Sequence, residues 1–287
     1  MPASPFSAAL AVAAEHHLPV RDPRVVRDLT NVLVHLRPAP VVARVPLTFT
    51  RLRGPEWFAQ EVELGGFLAA AGAPAVGPAA GVDPGPHERD GFLVSFWQYV
   101  DHDPERFGAR AAGRALCELH RALARYPGKL PRFDRLGEIA RLLARIEPSE
   151  VVSGDELDGL REAHARLALT SVPSSGGQPI HGDSHFRNVL WSPEGPVWTD
   201  LENACWGPVE LDLACLEYRR GSGGEETDEA LAAYGEYDPA MLERVMPFLA
   251  LVLAAWTIVV IERTPTVDGR ADLAWRIDRA RSLAPAP

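Results

Sequence analysis

Residues 181–202 carry the reading on which the fold turns. They run His181-Gly182-Asp183-Ser184-His185-Phe186-Arg187-Asn188, then Val189-Leu190-Trp191, and after a turn Trp198-Thr199-Asp200-Leu201-Glu202. Four residues separate Asp183 from Asn188, and Asp200 follows two short apolar runs, Val189–Trp191 and Val197–Thr199, that read as strands across a turn. This layout suits phosphoryl transfer from a magnesium-bound nucleotide. One carboxylate must orient the attacking hydroxyl and accept its proton, while an amide oxygen and a second carboxylate hold the metal against the phosphates. A competing reading makes His181, Asp183, His185 and Asp200 a plain polar loop or the ligands of a metal hydrolase. No third ligand spacing accompanies His181 and His185, as a zinc site would need.

The Asp-x4-Asn spacing is that of a protein-kinase catalytic loop. Taken together, HGDSHFRN (181–188), TDLEN (199–203) and GPVELDLACL (207–216) resemble the aminoglycoside phosphotransferase-like small-molecule kinases, relatives of the protein kinases. The resemblance implies an α+β, bilobal, protein-kinase-like fold. Residues 1–97 would form a small β-rich, nucleotide-binding lobe, and residues 98–287 a larger, mostly helical lobe for catalysis and substrate binding. It also implies Asp183 as catalytic base, and Asn188 and Asp200 as catalytic residues that ligate Mg²⁺. His181 would brace the loop and Asp212 would hold its backbone from a following helix. Asp200-Leu201-Glu202 stands where protein kinases have Asp-Phe-Gly.

Such a kinase needs a cation on its third strand, held by a helix glutamate. Val41-Val42-Ala43-Arg44-Val45 is a strand on which Arg44 points opposite to its neighbours. The chain's single lysine, Lys129, is far away, so Arg44 takes this place, staying charged and able to grip phosphate bidentately. On the helix expected over Glu56–Ala71, Glu61 and Glu63 compete as its partner. Glu61 shares the inward face of Phe58, Val62, Gly65 and Leu68, and is chosen. The phosphate loop Asp28-Leu29-Thr30-Asn31-Val32 lacks glycine, so Asn31 and Thr30 are the expected phosphate contacts there. The connector Ser95–Val100 is expected to read the base through its backbone at Gln98 and Val100. Trp97 and Tyr99 fit a core role as well as a binding role, and Arg187 either reaches a ligand or caps the loop. His120, in the segment ALCELH (115–120), reads as a buried structural histidine.

Further out, strands are expected at Arg24–Thr30, Val32–Leu36 and Phe92–Phe96. A short helix is expected near the N-terminus, with others at Arg106–Tyr126, Asp134–Ile146, Gly154–Leu169, Glu226–Tyr234 and Pro239–Glu262. The apolar run Pro247–Ile261 falls short of the ~20 residues that span a bilayer, and reads as a buried core helix. Three cysteines without C-x-x-C spacing argue against a disulfide framework and suit a reducing cytoplasm. A formal net charge of −10 argues against nucleic-acid or anionic-membrane partners.

The leading expectation is therefore a kinase using ATP, or GTP, with Mg²⁺ to phosphorylate a hydroxyl of a small molecule. An aminoglycoside or another amine-bearing metabolite would suit, because the acidic residues between Glu217 and Asp238 favour a cationic acceptor. The alternative is a nucleotide-binding regulatory pseudokinase without turnover, for which the glycine-free loop and Arg44 speak.

Overall fold

The computed structural model describes residues 3–48, 53–133, 135–170, 177–217, 225–263 and 269–286. Helix α1 (Pro5–Glu15) starts at a reciprocal cap in which Ser4 and Ser7 each accept the other's backbone N–H. Strands β1 (Val20–Asp28), β2 (Asn31–Pro38) and β3 (Val41–Pro46) follow. After helix α2 (Pro55–Ala70) come β4 (His87–Arg89) and β5 (Phe92–Gln98). The five strands form one antiparallel sheet in the order β1-β2-β3-β5-β4.

Alternation gives this sheet two different faces. Val32, Val34, Leu36, Val41, Ala43, Val45, Val94 and Phe96 are buried together with Ala8, Ala9, Val12 and Ala13 of α1. The opposite face carries Leu33, His35, Val42, Arg44, Ser95 and Trp97, since Leu33 pairs with Arg44, His35 with Val42, Arg44 with Ser95 and Val42 with Trp97. Strand β1 begins earlier than expected and runs through Pro23. It lies at the sheet edge, where a proline's missing N–H removes no bond from the outer side.

The remainder is mainly helical. Helices α3 (Ala109–Leu123), α4 (Arg135–Leu143) and α5 (Gly154–Ala168) precede the short strands β6 (Gln178–Ile180), β7 (Val189–Ser192), β8 (Gly195–Trp198) and β9 (Cys205–Gly207). Then come α6 (Glu210–Glu217), α7 (Glu225–Tyr234), α8 (Pro239–Arg263) and α9 (Gly269–Leu283). Strands β7 and β8 form a hairpin, and β6 pairs with β9. Helix α8 is long and apolar enough to cross a membrane by length and composition, but 61% of its apolar window is buried inside the fold. Val245, Leu249, Ala254 and Ile258 pack there with Leu116, Leu160, Leu213, Leu273 and Ile277. Helix α9 was not anticipated. Its many charges obscure Leu273, Ile277 and Ala280, the spaced residues that it buries.

The sheet region and the helical region are stitched side by side. Val76 N–H donates to the Trp198 carbonyl at 2.8 Å, and Trp198 N–H donates to the Pro74 carbonyl at 2.8 Å. A parallel bridge thereby ties the segment after α2 to the end of β8, two residues before Asp200.

Candidate active site

The loop between β6 and β7 is shaped from beneath by Asp212 of α6. Its carboxylate accepts the backbone N–H groups of His181 and Gly182, each at 2.8 Å, and Ser184 Oγ donates to its carbonyl at 2.7 Å. Burial alone would raise the Asp212 pKa. The hydrogen bond from His120, with that from the His181 backbone N–H, holds it below the ordinary carboxylate range instead. Gly182 has φ +81, and a Cβ there would stand 2.0 Å from the Asn203 carbonyl oxygen, so the turn needs glycine on both counts. His181 reaches across to the Thr199 carbonyl at 3.0 Å. Asp183 follows, partly exposed, with its N–H on His181 Nδ1 at 3.3 Å and its carboxylate 3.8 Å from His185 Nε2.

Asn188 closes the loop from a buried position. Its Nδ2 donates to the Asp183 carbonyl at 2.9 Å, which leaves Oδ1 as the outward acceptor. Its own carbonyl accepts Thr199 N–H at 2.9 Å, so the loop and the residue before Asp200 are held in register. Asp200 adopts the left-handed region (φ 68, ψ 59), one that aspartate tolerates better than most residues and that gathers at functional sites.

From the sheet side, Arg44 meets these residues. Its Nη2 lies 3.0 Å from Asp200 Oδ1, and the guanidinium also forms buried ion pairs with Glu61 of α2 and with Glu202. Glu63 instead accepts from the Tyr126 hydroxyl at 3.0 Å, so the choice of Glu61 by helix face matches the geometry. Burial pushes Glu61 and Glu202 above the ordinary carboxylate range even though Arg44 pulls both down. Burial works against the Arg44 charge, yet its three carboxylates outweigh that and raise its pKa further. One cation faces three carboxylates.

Sequence reading missed the layer behind this cluster. Arg53 donates to the Glu202 carbonyl at 3.0 Å and to Asn203 Oδ1 at 3.2 Å, and it pairs with Glu138 of α4 at 3.1 Å. Trp57 Nε1 donates to the same Glu202 carbonyl at 2.6 Å, and the Arg53 guanidinium sits 4.2 Å from the Trp57 ring centroid. A small recess opens here, lined by Trp57, Gln60, Glu61, Leu64, Leu130 and Glu202 among others.

The remaining expected residues lie on the sheet, its connector and the loop before β7. Asn31 is buried at the start of β2, and its Oδ1 has no hydrogen-bond partner among the described residues. The Gln98 and Tyr99 N–H groups are committed to the Gly77 and Pro40 carbonyls. The connector's next N–H, that of Val100, makes no backbone bond among the described residues. Trp97 is a core residue, its Nε1 on Ser95 Oγ at 2.9 Å. Tyr99 stacks on His35 with ring centroids 3.7 Å apart. Val100, Leu190 and Val197 pack partly buried beside Val62, Val76 and Trp97. Arg187 is exposed.

The donor set suits a magnesium ion. Among the described residues no group of three or more His, Cys, Asp or Glu side chains is arranged to hold a metal. Magnesium does not need one, because it takes one or two protein carboxylates and completes its shell with phosphates and water. Asp200 and Asn188 Oδ1 could supply the protein share, beside a cluster with surplus negative charge.

Residues 27–248 match the model of the APH family, described as a phosphotransferase enzyme family. No curated protein matches the sequence. Among solved structures, a choline/ethanolamine kinase family protein from Mesorhizobium loti is 21% identical with a TM-score of 0.64, covering 98% of this chain and 95% of its own. Amicoumacin kinase hAmiN, solved with AMP-PNP, Ca²⁺ and Ami, is 14% identical with a TM-score of 0.71, covering 96% and 94%. Choline kinase LicA from Streptococcus pneumoniae is 14% identical with a TM-score of 0.69, covering 96% and 98%. With this fold shared along its length and a family match over residues 27–248, the chain belongs to the phosphotransferase enzyme family.

Proposed function

We propose that this chain transfers the γ-phosphoryl group of ATP, with GTP as the alternative nucleotide, to a hydroxyl of an amine-bearing small molecule. Residues 1–97 form the nucleotide-binding lobe in this reading, and residues 98–287 the catalytic and acceptor-binding lobe of a cytoplasmic enzyme. The observation that carries it is the 3.0 Å contact between Arg44 and Asp200, with Glu61 paired to the same guanidinium. It brings the phosphate-gripping cation of the sheet to the candidate metal ligand that ends the β7–β8 hairpin.

Each residue then has a task. Asp183 orients the acceptor hydroxyl and takes its proton as the oxygen attacks phosphorus. Asn188 Oδ1 and the Asp200 carboxylate hold Mg²⁺, which when bound neutralises charge on the phosphate oxygens. Arg44 has N–H donors beyond the three bonds to its carboxylates, and these would serve the α- and β-phosphates. Asn31 takes a role toward the phosphates in this reading, supported by its buried amide oxygen, which has no partner among the described residues. For the base, Val100 would offer its N–H and Gln98 its carbonyl, since the Gln98 N–H is given to Gly77. The amicoumacin kinase complex with AMP-PNP and Ca²⁺ supports a nucleotide and a divalent metal in this fold.

The test is a nucleotide-consumption screen across hydroxylated amines, aminoglycosides and neutral sugars, with ATP and GTP in parallel and Asp183→Asn as the control. Acceptor-dependent turnover that vanishes in the variant supports the reading. Turnover that persists in it, or nucleotide binding without turnover on any acceptor, overturns the reading.

A further inference from the structure

Asp212 shapes the catalytic loop, but Asp212 is itself held. His120 Nε2 on α3 lies 2.7 Å from Asp212 Oδ2, and His120 Nδ1 lies 2.9 Å from the Tyr234 hydroxyl on α7. All three side chains are buried, at 9% exposure for Tyr234, 3% for His120 and 0% for Asp212.

Proton bookkeeping gives the chain a direction. An ionised Asp212 carboxylate only accepts, so His120 Nε2 must carry a proton. In a neutral imidazole the other nitrogen, Nδ1, is then a buried lone pair that needs a donor, and the Tyr234 hydroxyl stands within reach. Burial also raises the Tyr234 pKa, which keeps that hydroxyl protonated. We propose that Tyr234 is a positioning residue of the catalytic loop. Its hydroxyl anchors His120, His120 anchors Asp212, and Asp212 holds the two backbone N–H groups that set Asp183.

The anchor has a firm base. Helix α7 is pressed onto α3 at Gly113, where an added Cβ would stand 2.1 Å from the Ala230 carbonyl oxygen. Thr227 Oγ1 at the start of α7 donates to the Leu216 carbonyl at the end of α6, 3.1 Å away. The Tyr234 hydroxyl is thus fixed relative to both α3 and α6. Without it the imidazole keeps its bond to Asp212 only by leaving a polar nitrogen buried and unmatched, and the ring has reason to turn.

The experiment uses the full chain with Tyr234→Phe, alone and combined with His120→Ala. Amide hydrogen exchange at His181 and Gly182 needs no acceptor, so it tests the anchoring independently of the proposed activity on which the kinetic readout rests. We expect exchange at these two amides to quicken about tenfold in Tyr234→Phe. With the best acceptor from the screen, kcat should fall about five- to tenfold while the KM for Mg-nucleotide stays within about twofold. In the His120→Ala background the added change should cost less than about twofold, because the link is already cut. Unchanged exchange at His181 and Gly182 overturns the proposal. So does a normal kcat in Tyr234→Phe, or an equally large effect of that substitution with and without His120. Where the double variant does not fold, the single variant decides by itself. Faster exchange in a protein that phosphorylates no acceptor would overturn the kinase reading and leave the anchoring standing.

Discussion

Arg44 Nη2 lies 3.0 Å from Asp200 Oδ1, and the same guanidinium is shared by Glu61 and Glu202. Three elements distant in the chain, β3, α2 and the turn after β8, therefore depend on one charge. A buried cluster with more carboxylates than cations is relieved either by binding protons or by binding a metal ion. Both routes have measurable consequences.

The first consequence is a pH dependence of stability. Burial holds the Glu61 and Glu202 pKa values above the ordinary range, so the folded protein keeps protons that the unfolded chain has released. Their contribution is full below the unfolded value of ~4.3 and is lost as pH rises through the folded values. His35, whose pKa burial lowers, acts in the opposite sense near the acid end of this window. The two are separated by substitution. Between about pH 6 and about pH 8, wild-type Tm should fall, and Glu202→Gln should flatten the slope. A slope that is the same in the variant would sink the assignment of the protons to this cluster.

Asp183 and Asp200 should fail differently. Asp183→Asn keeps shape and hydrogen bonding but cannot accept a proton, so kcat should drop by about 100-fold or more with Mg-nucleotide binding unchanged. Asp200→Ala removes a proposed metal ligand and a partner of Arg44, so nucleotide binding should weaken together with turnover. Thermal-shift titrations with Mg-ATP check both. Full ligand stabilisation in Asp200→Ala, or a large loss of it in Asp183→Asn, would contradict the proposed roles.

Legibility of the site followed the distance over which information had to travel. The candidate loop was readable because Asp183, Asn188 and Asp200 lie within eighteen residues and follow a local spacing. Arg44 and Glu61 were readable one element at a time, from strand alternation, helix face and the lack of a nearby lysine. Arg53 was not, because its partners Glu138, Glu202 and Asn203 are joined to it only by folding and no local period marks a buried arginine. Glu202 was visible as a motif position, while its ion pair with Arg44 spans 158 residues. Helix α9 hid its spaced apolar residues among charges, and Pro23 obscured an edge strand that tolerates it.

Gly182 offers a steric test of the loop. Alanine there would be strained by φ +81 and would also drive its Cβ to 2.0 Å from the Asn203 carbonyl oxygen. Since that oxygen is backbone, and Asn203 also receives Arg53, relaxation must move the turn itself. Gly182→Ala should cost about 2–4 kcal/mol and abolish turnover. Calorimetry should show Tm lower by roughly 5 °C or more. A variant with wild-type Tm and activity would mean that the turn is far softer than its packing indicates.

The acceptor's charge can be approached through salt. Helix α7 buries Thr227, Ala230, Leu231 and Tyr234 and turns Glu225, Glu226, Asp228 and Glu229 to solvent. Asp238, counted with them in the sequence, is partly committed elsewhere, because its carboxylate accepts the Ala240 and Met241 N–H groups at the start of α8. Arg219, Arg220 and the glycines at 221, 223 and 224 lie outside the described residues. The four carboxylates of α7 thus form one exposed acidic face, on the helix that also supplies Tyr234 to the loop-holding chain. Such a face attracts a cation over several ångströms in dilute salt, and loses that reach as the Debye length shrinks to about 8 Å near ~0.15 M. If it serves a cationic acceptor, acceptor KM should rise clearly over that range while kcat changes little, and Glu225→Gln with Glu229→Gln should reduce the dependence. A neutral sugar as best acceptor, or a KM indifferent to salt, would remove the cationic acceptor and leave the phosphoryl-transfer residues as assigned.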